Sequence, residues 1–129
     1  MSGKPITPVR VLIADDHRLF AEALEAVLSS EPRIEVVGRA SDGGEAVELA
    51  RRLEPDVVAL DISMPVLDGF EAAAAMERLQ HPPAVLMLTG SNSPDDIDRA
   101  RRAGAKGYIT KDAIAASLVD AILAAARSG

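Results

Sequence analysis

Four apolar runs in this chain each end in a residue equipped for chemistry. VRVLIA (Val9–Ala14) is followed by Asp15 and Asp16, and DVVAL (Asp56–Leu60) by Asp61. AVLML (Ala84–Leu88) is followed by Thr89 and Gly90, and KGYIT (Lys106–Thr110) by Lys111. Three carboxylates brought into one small space repel each other, and undisturbed at least one would have a raised pKa. A hard divalent cation removes the conflict. Mg²⁺ takes oxygen ligands and is typically held by one or two carboxylates plus a phosphate oxygen, and Mn²⁺ is able to substitute for it. Lys111 adds a fixed positive charge and Thr89 a hydroxyl donor. Acids, a cation, a Lys and a Thr form an inventory for handling a phosphoryl group, with a carboxylate as nucleophile.

Singly, each residue has a plainer reading. Asp16 alone is a good helix N-cap, and a lone Asp61 before a Met-Pro turn is ordinarily a turn residue. Thr89 and Lys111 taken alone read as surface residues, and Tyr108 as a packing residue of a strand. His17 and His81 show no partner pattern and read as surface or capping residues. The joint pattern is what carries information, because independent strand ends each deliver a needed side chain.

The elements that must position these residues alternate. The apolar runs read as buried strands, joined by a further one at Ile34–Ala40 with Gly38 as its weak point. Between them lie helical patterns. One begins at Arg18 and closes at Ser29-Ser30-Glu31-Pro32, and one opens at Asp42-Gly-Gly-Glu45 and runs to about Leu53. Another opens at Asp68-Gly69-Phe70-Glu71 and runs to about Leu79. A fourth starts at Ser93-Pro94-Asp95-Asp96, with Ser93 as N-cap, and stops near Gly104. The last is expected to be capped by Asp112, with Ile114, Leu118, Ile122 and Ala125 on one face. Strand and helix alternating five times imply a parallel sheet covered on both faces, α/β in class. The flavodoxin-like order 2-1-3-4-5 suits five strands, giving a (βα)5 doubly wound, three-layer sandwich. Its ligand crevice lies beyond the carboxyl ends of the strands, where the candidate residues converge.

Composition narrows the class of protein. The 129 residues suit one domain and contain no cysteine, which excludes disulfides, thiolate metal sites and thiol catalysis. Aromatic residues are only 2%, so base stacking is a poor option. With a net charge of −6 and a pI near 4.8, the domain itself is a poor binder of DNA. No apolar run approaches the ~18 residues of a membrane span, and Met1–Pro8 lacks the apolar core of a secretory signal. The expectation is a cytoplasmic domain without membrane contact.

The residues resemble a known family. ADDHRLF (Ala14–Phe20), LDISMPVLDGFEA (Leu60–Ala72), LTG (Leu88–Gly90) and GAKGYITKD (Gly104–Asp112) look like the receiver domain of bacterial two-component response regulators, of the NarL/FixJ type. The resemblance covers roughly Val9 to Arg127. It sets residues 1–8 apart as a flexible N-terminal segment and leaves a receiver domain over residues 9–127 with no output domain. It implies that Asp61 is the phosphoacceptor, attacking a phosphohistidine on a sensor histidine kinase. It implies that Asp15 and Asp16 hold Mg²⁺ with Asp61 and the carbonyl of Ser63. Lys111 and Thr89 would then bind the phosphoryl group, with Gly90 beside them, and Tyr108 would be the switch aromatic that turns inward as Thr89 moves. Such a domain is a phosphorylation-controlled switch rather than an enzyme.

Two positions depart from the family pattern. Asp112 stands where many members have Pro, which leaves the Lys111 loop freer, and Gly90 stands where Ala is common, which eases access to the phosphoryl group. Members of this type usually carry a helix-turn-helix DNA-binding domain after the receiver. The chain therefore reads as the input domain of a transcriptional regulator, with a stand-alone relay or adaptor as the alternative. The change on phosphorylation is expected to reach a face over residues 94–127 that contains Asp98, Arg101, Arg102, Lys106 and Tyr108, and to promote homodimerisation there. A flavin carrier of the same topology needs a Gly- and hydroxyl-rich loop where this chain has two acids. A cobalamin module needs Gly where this chain has Phe20. A pseudo-receiver would have lost an acid, the Thr or the Lys.

Overall fold

Successive side chains of a strand point to opposite faces, and here both faces are apolar. Val11 and Ile13 turn one way, Leu12 and Ala14 the other, and all four are fully buried. Strands of that kind need cover on two sides, and alternation of strand and helix supplies it. The computed structural model describes residues 7–90 and 93–128. Its order is β1 (Val9–Ala14), α1 (Arg18–Ser29), β2 (Ile34–Ala40), α2 (Gly43–Leu53), β3 (Val57–Asp61), α3 (Gly69–Glu77), β4 (Ala84–Thr89), α4 (Pro94–Arg102), β5 (Gly107–Thr110) and α5 (Ile114–Ser128). Most of the proposed flexible segment, residues 1–6, lies outside the described residues.

The strands are parallel and ordered β2-β1-β3-β4-β5, the flavodoxin-like order expected. One face is packed by α1 and α5 through Leu24, Leu28, Leu118 and Ile122. The other is packed by α2, α3 and α4 through Ala46, Ala50, Phe70, Met76 and Ala100. The register of β1 against β2 shifts between Val11 and Leu12, where Leu12 comes to face Gly38, the weak point seen in the sequence. At the amino ends of the strands, Glu54, Pro55, Asp56, Pro82 and Ala84 line an open groove with Ala126 of α5. No described helix is long and apolar enough to cross a membrane.

Several boundaries move by a residue or more from the expected ones, each for a local reason. β3 extends through Asp61, which pairs with Leu88 of β4, while Asp56 stays outside the strand and its carboxylate accepts the Arg10 amide at 2.9 Å. α3 ends at Glu77 rather than near Leu79, because the Arg78 and Leu79 amides tighten onto the carbonyls of Ala75 and Met76. Asp112 does not cap α5. It sits inside a 3₁₀ turn, Lys111–Ala113, that precedes the helix. Ser93 occupies the N-cap position of α4 but does not make the capping bond. Asp68 and Glu71 do form the expected capping box, with bonds of 2.8 and 3.0 Å.

Candidate functional site

The site is assembled by where three strands stop. Asp15 follows β1, and its amide donates to the Ala40 carbonyl at 3.0 Å, so it continues the ladder one step past the strand. Asp61 is the last residue of β3. Both are 3% exposed, an unusual degree of burial for carboxylates. Asp61 is held from behind by a glycine. A Cβ on Gly69 would lie 2.5 Å from the Asp61 carbonyl oxygen, so only Gly lets the loop after β3 close against the strand end. That closure is fastened by the Gly69 amide, which donates to Ile62 O at 2.7 Å.

Lys111, the first residue after β5, reaches across to the acids. Its Nζ is 3.0 Å from Asp15 Oδ2 and 3.4 Å from Asp61 Oδ1, and it lies 4.5 Å from the centroid of the Phe20 ring on α1. The Ser63 amide donates to Asp61 Oδ1 over a long 3.4 Å. Asp61 Oδ2 is buried and has no hydrogen-bond partner among the described residues. Burial and the neighbouring Asp15 charge push the Asp61 carboxyl up to about 6, against the opposing pull of Lys111 and the Ser63 amide. Added positive charge would stabilise an acid in this condition. The donor set fits a hard cation: Asp15, Asp16 and Asp61 each offer a carboxylate oxygen to one cluster.

The remaining sequence candidates fall around this centre. Asp16 is exposed at its rim and is not the cap of α1, a position that His17 occupies. Thr89 is buried at the end of β4, in register with Thr110 on β5. Gly90 is exposed, and among the described residues a Cβ there would meet nothing within 4 Å. Tyr108 is half-buried on β5 opposite Met87 and packs against the core under α4. It lines a groove with Ile97, Ala100, Arg101, Ala105 and Lys106. Asp98 and Arg102 form an exposed ion pair at 3.0 Å one turn apart on α4.

Two residues escaped the reading of the sequence. Gly69 looked like part of a helix start and is also the brace of Asp61. Phe20 looked like helix core, but its place in the first turn of α1 sets its ring against Lys111. His17 is exposed and occupies the N-cap position of α1, as read from the sequence, and its Nδ1 is 3.4 Å from both Asp15 and Asp16.

The comparisons with known proteins agree with this geometry. The family model described as "Response regulator receiver domain" matches residues 11–123. Transcriptional regulatory protein LiaR of Bacillus subtilis (strain 168) is 41% identical over 119 residues, 92% of this chain and 56% of its own length. The chain thus spans a little over half of that relative. The signal receiver domain of the response regulator NarL from Mycobacterium tuberculosis superposes with a TM-score of 0.90 at 38% identity, covering 95% of this chain and 98% of that one. A complex of CheX, CheY, BeF3 and Mg²⁺ from Borrelia burgdorferi matches with a TM-score of 0.83 at 27% identity, covering 90% of this chain and 87% of that one. With the five-stranded order, the acid pocket and relatives of the NarL type all in agreement, this chain belongs to the response regulator receiver domain family.

Proposed function

We propose that Asp61 accepts a phosphoryl group from a phosphohistidine of a sensor histidine kinase, in a reaction that requires Mg²⁺. The observation that carries this reading is the buried Asp61 Oδ2 without a hydrogen-bond partner, flanked by Asp15 and by Lys111. A carboxylate oxygen of Asp61 attacks phosphorus, the new O–P bond forms as the N–P bond breaks, and the imidazole leaves with the electron pair. Asp15, Asp16 and Asp61, with the carbonyl of Ser63, would hold the cation. Bound there, it would neutralise the phosphoryl oxygens and the acids at once. Lys111 moves from pairing with the carboxylate to pairing with the phosphoryl oxygens, and Thr89 donates to one of them, with the open side at Gly90 admitting the group.

The added charge is the signal. Thr89 and Lys111 follow it, Tyr108 turns inward, and the face of Asp98, Arg101, Arg102 and Lys106 becomes the surface of a homodimer. The relatives of the NarL type favour the input domain of a cytoplasmic DNA-binding regulator, with residues 9–127 acting as a switch rather than an enzyme. BeF3 with Mg²⁺ in the similar CheX–CheY complex from Borrelia supports the choice of ligand. The test is incubation with acetyl phosphate and MgCl2, followed by intact mass. Wild type gains one phosphoryl mass and Asp61→Asn does not. An equal gain in Asp61→Asn would sink the assignment.

A further inference from the structure

The imidazole of His17 stands among the acids, and a site for a hard cation leaves it unused. Its Nδ1 is 3.4 Å from Oδ1 of Asp15 and 3.4 Å from Oδ1 of Asp16. One donor atom each from Asp15, Asp16, His17 and Asp61 can be chosen so that all lie within 4.8 Å of one another. The His17 amide donates to Asp15 Oδ1 at 2.8 Å, which fixes the main chain of His17 beside the acid. Independently, the buried Asp61 Oδ2 has no hydrogen-bond partner among the described residues.

Ligand type and spacing bear on which ion fits. Neighbouring ligands of an ion bonded at ~2.0–2.2 Å lie about 3.4 Å apart in a tetrahedral array and about 3.0 Å in an octahedral one. The two separations of His17 Nδ1 from the carboxylates equal the first, within a donor set that spans up to 4.8 Å and with the His17 side chain 69% exposed. Imidazole suits Zn²⁺ and Ni²⁺, whereas Mg²⁺ prefers oxygen. Building on the reading of the acids as a cation site, we propose that His17 is a fourth donor of that site. It makes the pocket selective for imidazole-binding divalent ions such as Zn²⁺ and Ni²⁺ over Mg²⁺.

The test is calorimetric titration of the full chain with ZnCl2 and, separately, with MgCl2, in the absence of any phosphodonor. His17→Asn retains a side chain suited to the N-cap position. His81, the chain's other histidine, lies 2.8 Å from Glu54, and His81→Asn is the control. The expected result is that wild type binds Zn²⁺ at least about tenfold more tightly than Mg²⁺, and that this ratio falls at least about fivefold in His17→Asn but holds in His81→Asn. A ratio unchanged in His17→Asn, or lost in His81→Asn instead, overturns the proposal. Broadening of the His17 imidazole proton resonances by Ni²⁺ is the second readout, and its absence counts against the proposal. The Mg²⁺ titration reads the acids alone. Mg²⁺ binding that is lost in Asp15→Asn upholds the cation site whatever His17 does, so failure of the fourth donor and failure of the site are distinguishable.

Discussion

The ammonium of Lys111 is bracketed by the ring of Phe20, 4.5 Å away, and by the carboxylates of Asp15 and Asp61, at 3.0 and 3.4 Å. The ring quadrupole attracts the cation and limits where it can go, an effect worth about 0.5–2 kcal/mol depending on desolvation. Phe20→Leu keeps apolar bulk and removes the quadrupole. The rate of phosphorylation by acetyl phosphate, followed by intact mass, is expected to fall about threefold to tenfold, with Phe20→Tyr restoring most of it. Equal rates in Phe20→Leu and wild type would mean that the ring only packs.

Asp61 has its carboxyl raised to about 6 by burial and by Asp15. In the folded state it keeps its proton to higher pH than in the unfolded chain, so this group takes stability away as pH rises from about 4 to about 6. Asp61→Asn removes that loss. Without divalent cations, the variant and wild type are expected to be alike near pH 4. The variant is expected to gain on the order of 1–3 kcal/mol by pH 7, with little further change above. Urea denaturation across pH measures this, and parallel curves would refute it.

A cation bound only by the folded chain stabilises it by mass action, about 2.7 kcal/mol at a concentration a hundredfold above its dissociation constant. MgCl2 is expected to raise the melting temperature of wild type and EDTA to reverse it. In Asp15→Asn the cation-free protein should melt higher than wild type, because the repulsion on Asp61 is gone, and the response to MgCl2 should vanish. Thermal melts with and without the ion check both signs.

Val66 sits at φ 71° in the loop after β3, with 78% of its surface exposed. A β-branched residue is strained in the left-handed region, at a cost of about 1–3 kcal/mol. Because little apolar contact is lost, Val66→Gly is expected to stabilise by about 1 kcal/mol net, raising the melting temperature by roughly 3–6 °C. A lower melting temperature would show that the side chain contributes more than the strain costs.

The sheet order and the convergence of Asp15, Asp61, Thr89 and Lys111 were legible in the sequence. They depend on apolar runs and on which residue ends each run, and those are local features. Asp68 with Glu71 was legible for the same reason. What was not legible depended on geometry across the fold. Gly69 braces Asp61 only because a loop returns onto the strand end. Phe20 meets Lys111 only because α1 and the turn after β5 lie on the same face. Asp112 was misread as a cap because a short 3₁₀ turn, which carries little signal of its own, intervenes before α5.

The groove shared by Ala126 with Glu54, Asp56 and Ala84 lies at the amino ends of the strands, and the acids lie at the carboxyl ends. Val9 begins the sheet at that same far pole. Val9 and Ala126 therefore sit a full strand, on the order of 20 Å, from Asp61. A reporter or an anchoring tag fused to either one leaves the acid pocket open to a kinase. News of the pocket's state must then reach such a cargo through the sheet and the helices packed on it, and not by touch.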